Sequence, residues 1–111
     1  MNIKEEFRLA LRELVYPVCV VSSYNDETKE NNAITVSSVT SLSFEPPSIL
    51  VCINKDSSIH SSLKKDSNFN ISFLSSSQTE ISNLCGTDEL SDKRFDNDFW
   101  DFKNNIGFIK N

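Results

Sequence analysis

Glycine, histidine and cysteine are scarce in this 111-residue chain: two glycines, one histidine and three cysteines. With glycine only at Gly86 and Gly107, neither a Gly-x-Gly-x-x-Gly fingerprint nor a Walker loop can be written. Asn, Asp and Ser must therefore make most of the tight turns. His60 and the scattered Cys19, Cys52 and Cys85 offer no ligand spacing for zinc or iron. The odd cysteine count without a Cys-x-x-Cys pair fits reduced thiols in a cytoplasmic compartment rather than a disulfide framework. A Gly-x-Ser-x-Gly elbow is absent, which removes the usual serine-hydrolase arrangement. Basic charge is also short: the net charge of −5 argues against a general nucleic-acid or anionic-membrane binder, although a small local basic site is allowed. The opening MNIKEEF has no apolar h-region, so no signal peptide is expected. No apolar run approaches ~18 residues, so no membrane span is expected.

What is present suits one small globular domain over residues 1–111, with 24% charged and 38% apolar residues. Its most informative stretch is Thr35 to Asn54, two extended runs joined by a corner. The first run carries the hydroxyls of Thr35, Ser37, Ser38, Thr40 and Ser41. The second, Ile49 to Ile53, is apolar and β-favouring. Pro46 and Pro47 between them cannot donate to a sheet and belong at a strand end or edge. A hydroxyl-rich strand beside an apolar one can line a cleft for a polar, flat or phosphorylated ligand.

The remaining chain reads as short elements. Asn2 to Leu14 is a helix capped by Asn2, with Glu5 and Glu6 in its first turn. Phe7, Ala10, Leu11 and Leu14 make one apolar face expected to pack on a sheet. Pro17 to Tyr24 is a strand, Asn25 to Asn32 a hairpin loop, and Ala33 to Val39 the second strand. Ser48 to Asn54 is the third. Ser57 to Asp66 reads as a short helix with a serine cap, and Asn68 to Ser75 as a half-exposed strand with Phe69, Ile71 and Phe73 on one face. Ser77 to Cys85 is helical, with Gly86 at its C-cap position. Phe95, Phe99, Trp100 and Phe102 need something to pack against, and Asn105 to Asn111 is barely one strand.

Two kinds of chemistry can be read from these residues. Cys52 and His60 are eight apart, but Cys52 sits in a β run, where a thiol is usually inert. Ser57 and Ser58 open a helix, and unpaired N–H groups with hydroxyls there suit a phosphate. On the residues alone the plainer reading comes first: Ser57 caps the helix, and Ser37 and Ser38 are solvated.

The run ITVSSVTSLSFEPPSILVCINKDSSIH, from Ile34 to His60, resembles the flavin reductase-like domain family. Phe7-Arg8, Pro17 to Val21, Phe69 to Leu74, Gln78 and Arg94-Phe95 fall in order around it, so the similarity covers nearly the whole chain. The resemblance reverses the preference above. It implies a mostly β fold with short helices, a Greek-key split β-barrel that forms a homodimer and holds FMN or FAD at the dimer interface. It implies NAD(P)H-dependent reduction of that flavin for a partner monooxygenase, with no catalytic side chain. Thr35, Val36 and Ser37 would approach the isoalloxazine edge, and Ser38, Ser57 and Ser58 the ribityl phosphate. Cys52, Ile53 and Asn54 would flank the ring. Asn32-Ala33 replaces a family glycine, and Ile59 stands where a hydroxyl is common. Family members continue past the Gly107 to Lys110 strand, so a barrel lacking C-terminal strands is expected. A flavin-binding module or fragment without reductase activity is the alternative.

Overall fold

The computed structural model describes residues 2–110; Asn111, the end of the last expected strand, lies outside the described residues. The described residues are mostly β with two short α-helices. Its centre is β1 (Cys19–Asn25), paired antiparallel with β2 (Glu30–Val36) on one edge and β5 (Phe69–Phe73) on the other. Val20 and Ser22 point to one face of this sheet, and Cys19, Val21 and Ser23 to the other. Two cores follow from that alternation. Val20 and Ala33 pack with Ile81 and Cys85 of helix α2 (Thr79–Gly86) and with Trp100 of the hairpin β6 (Trp100–Lys103) and β7 (Ile106–Ile109). Cys19, Val21 and Val36 pack with Ile59 on the opposite face, beside Val39 and Val51 of the hairpin β3 (Val39–Phe44) and β4 (Pro47–Val51). The described strands thus form three separate sheets rather than one closed barrel. Among the described residues no helix is long and apolar enough to cross a membrane.

Small hydroxyl residues let both layers approach β1. The buried Ser22 hydroxyl donates to the Gly107 carbonyl of β7, and the buried Ser23 hydroxyl pairs with that of Ser62. The four aromatics find their partners here: Phe95 and Phe99 pack on the Val20 core, and the Phe95 ring lies 4.4 Å from that of Trp100 and 6.2 Å from that of Phe102.

Several expected elements differ. Helix α1 (Ile3–Leu11) starts where expected, with the Asn2 side chain accepting the Glu5 N–H at 2.8 Å, but ends three residues short of Leu14. It buries no residue, and Phe7 is 64% exposed; an amphipathic pattern says that a face wants cover but not which surface covers it. The expected strand Ala33 to Val39 breaks at Ser37-Ser38, where the chain leaves the first sheet for the second. Ser57 to Asp66 contains only a 3-10 turn at His60–Ser62. Ser57 caps nothing there: its hydroxyl donates back to the Asn54 carbonyl at 2.6 Å, while the Asn54 side chain accepts the Asp56 N–H. Gly86 closes α2 from inside, with Thr87 as the cap. Asn32 lies within β2 opposite Ser23, so no turn forms at the position of the family glycine.

Gly107 has no room for a side chain, because a Cβ there would sit 2.9 Å from the Trp100 ring and 3.2 Å from Phe95 and Phe102. Gly107→Ala is expected to destabilise the fold by about 1–3 kcal/mol, from forced displacement of the packed rings. Urea unfolding followed by Trp100 fluorescence measures it, and an unchanged midpoint would contradict the packing described.

Candidate functional site

Strand β2 presents successive residues to opposite faces, and this splits the expected site residues. Thr35 lies on the α2 side, where its hydroxyl donates to the Ser82 carbonyl at 2.7 Å. Val36 points the other way and is buried in the second core, so its side chain is unavailable and only its backbone can meet a ligand. Ser37 and Ser38 follow on the exposed crossing between sheets. The Ser38 hydroxyl donates to the Cys52 carbonyl at 3.1 Å, and the Cys52 N–H donates to the Ser38 carbonyl at 3.2 Å. This bridge holds the hydroxyl ribbon against the end of β4. Cys52 and Asn54 are exposed there, and Ile53 is half-buried against the second core.

A cleft of about 370 Å³ opens between β2, the turn after Asn54 and the end of α2. Thr35, Ser57 and Ser58 line it together, beside Gly86 and Arg94. The cleft thus unites three of the nine expected residues. Ser37, Ser38, Cys52, Ile53 and Asn54 are not among its lining, and Ile53 lines a separate groove with Ile49 and Leu50. Ile59, which stands where a hydroxyl was expected, is buried in the second core and lines the cleft with apolar surface.

Arg94, which in the sequence stands out only as part of the Arg94-Phe95 pair, has a structural role. The side chain is buried and donates to three carbonyls: Ala33 at 2.6 Å, Leu84 at 3.2 Å and Thr87 at 3.3 Å. Its own carbonyl accepts the Trp100 indole N–H at 2.6 Å. One residue therefore ties β2 to the end of α2 and to β6. A lone Arg between Lys93 and Phe95 carries no periodic signal that separates it from a surface cation.

The neighbouring Cys85 is wholly buried, and burial pushes its thiol up to about 11, against a smaller opposing pull from Arg94. Burial also raises Cys19. Neither is available as a thiolate near neutral pH. Among the described residues no group of three His, Cys, Asp or Glu side chains could hold a metal ion.

The family model described as "Flavin reductase like domain" matches residues 11–109. The chain belongs to this family. It is 29% identical over 99 residues to the reductase component of an FADH(2)-dependent resorcinol hydroxylase from Rhizobium sp. (strain MTP-10005), covering 89% of this chain and 55% of that protein. It is 30% identical over 97 residues to RutF, an FMN reductase (NADH) from Pantoea ananatis, covering 87% of this chain and 50% of that one. BorF, the flavin reductase component of a bacterial two-component tryptophan halogenase, superposes with a TM-score of 0.80 at 26% identity, over 96% of this chain and 68% of that one. The chain thus spans about half the length of the curated relatives it matches.

The buried thiol of this flavin reductase-like domain gives a pH signature. The Cys85 proton is held more tightly in the folded chain than at the ordinary value of 9.0. Its contribution is therefore fully present below about pH 9 and is lost as pH rises towards 11. Denaturant midpoints from pH 8 to 11 should fall with a component that Cys85→Ala removes; an identical slope in the variant would contradict it.

Proposed function

We propose that the chain carries the flavin site of an NAD(P)H-dependent flavin reductase that passes reduced FMN or FAD to a partner monooxygenase. The observation that carries this reading is the hydroxyl-lined cleft where Thr35 of β2 meets Ser57 and Ser58, within a chain matched by the flavin reductase family over residues 11–109. The residues present fit a flavin. Ser58 offers a free hydroxyl donor for a phosphate, Ser57 one that must first leave the Asn54 carbonyl, and the exposed Ser37-Ser38 backbone offers both donors and acceptors for a ring edge. Cys52, Ile53 and Asn54 would flank the ring, Ile53 giving apolar contact. When bound, the flavin supplies the hydride acceptor and a reduced nicotinamide the hydride. The chain's own part is to bind and orient, so no side chain acts as general acid or base. Val36 contributes through its backbone and through the core that keeps β2 in place. The free thiols of Cys19, Cys52 and Cys85 support a reducing, cytoplasmic setting.

We also propose that two copies pair and that pairing completes the split barrel. The support is exposed apolar surface: Phe7 on α1, Phe44 at 91% exposure on β3, Leu42 and Phe73. A groove of about 420 Å³ lined by Ile49, Leu50, Ile53 and Phe69 adds to it. A soluble monomer rarely leaves this much apolar surface uncovered.

Two measurements test these readings. NADH oxidation with added FMN, followed at the nicotinamide absorbance, is expected to exceed the no-protein rate. Ser58→Ala should weaken FMN binding by about 1–3 kcal/mol, from a lost hydrogen bond to a charged phosphate, with an unchanged melting temperature. Tight flavin retention without NADH oxidation would instead select a flavin-binding module. Light scattering should give twice the monomer mass, reduced to the monomer by Phe44→Asp; a monomeric unaltered chain would refute the pairing.

A further inference from the structure

We propose that the cleft prefers a flavin ending in a single phosphate, FMN, over the diphosphate FAD, with Arg94 holding the phosphate and Asp56 and Asp88 set against a second one. The proposal rests on the flavin reading above and adds the choice of substrate to it.

Arg94 lies at the closed side of the cleft, since it lines the cleft yet is only 7% exposed. A guanidinium has five N–H donors. Three are used on the carbonyls of Ala33, Leu84 and Thr87, which leaves two. The ion pairs among the described residues are Arg8 with Glu5 and Lys64 with Glu27, so no carboxylate neutralises Arg94. A buried cation satisfied only by neutral carbonyls keeps a strong pull on an anion that can reach it. Asp56 and Asp88 line the same cleft but are exposed, which puts them at its open side.

Charge in the cleft is therefore ordered, positive inside and negative at the rim. A terminal phosphate can sit inside against the guanidinium, with the Ser58 hydroxyl beside it. In FAD the same phosphate is linked onward to a second phosphate and adenosine. That continuation must leave by the open side, past two carboxylates. The exposed rim charges are screened, so the bias they impose is moderate, whereas the buried guanidinium acts at low dielectric.

Equilibrium titrations of the full chain with riboflavin, FMN and FAD test this, alongside Asp56→Asn/Asp88→Asn, whose changes fall on exposed side chains. FMN should bind about tenfold or more tightly than riboflavin and than FAD. The double variant should reduce the gap between FMN and FAD to about threefold. In the unaltered chain, the Arg94 Nε–H resonance should move with FMN and stay in place with riboflavin. Equal affinity for FMN and FAD, an unchanged gap in the double variant, or a silent Arg94 resonance while FMN binds would each overturn the proposal and leave the flavin site standing. Failure of all three flavins to bind would overturn the flavin reading and this proposal together.

Discussion

A strand that is covered on both faces and paired on both edges admits few side chains, and β1 satisfies that constraint with Cys19, Val20, Val21, Ser22 and Ser23. All five are buried. Apolar residues meet the two cores, and two serines stand where backbone or another hydroxyl comes close. Each serine spends its hydroxyl at once, Ser22 on Gly107 and Ser23 on Ser62, so neither adds an unpaired polar group to the interior. Both layers of the molecule are held through this one strand. The α2 and β6–β7 layer sits on one side, and the β3–β4 layer on the other.

The site inherits its form from β2, the strand alongside. Alternation along β2 sends Thr35 to the α2 layer and Val36 into the opposite core. The chain then crosses between sheets at Ser37-Ser38, and the crossing exposes backbone that a continuous ladder would have used. The hydroxyl ribbon is thus partly structural. Thr35 is tied to Ser82 and Ser38 to Cys52, which leaves Ser37, Ser58 and the exposed backbone freer to face a ligand. Arg94 completes the frame by joining Ala33, Leu84 and Thr87 around one guanidinium. Three carbonyls offset part of the desolvation of a buried cation, but they carry no net charge.

Apolar surface remains open where the molecule faces outward. The two-stranded β3–β4 ribbon is of a kind that is marginal alone in water, and it meets the body mainly through Val39 and Val51 near its base. Helix α1 buries nothing. These features and the cleft fit the proposal that a flavin sits at the junction of layers and that the apolar outer surfaces find their cover in a second copy.

Much of the architecture was legible in the residues. A β-favouring run marked β1 and alternation marked β5, Asn2 and the two glutamates marked the start of α1, and the ordered motifs from Ile34 to His60 pointed to the flavin reductase-like family. Those signals are local, because propensity, capping and period depend on near neighbours in the chain. The break at Ser37-Ser38, the reduction of a helix to a single 3-10 turn at His60–Ser62, and the inward turn of Val36 were decided by which strand found which partner. Arg94 is the clearest case. Nothing beside it in the chain separates it from a surface cation, and only the folding of β2, α2 and β6 around it brings three distant carbonyls to one side chain. The sequence by itself determined β1, β5, the start of α1, the hydroxyl ribbon and the family. Tertiary structure alone decided which hydroxyls are occupied, where the buried charge sits and which surfaces stay open, because these depend on contacts between residues far apart in the chain.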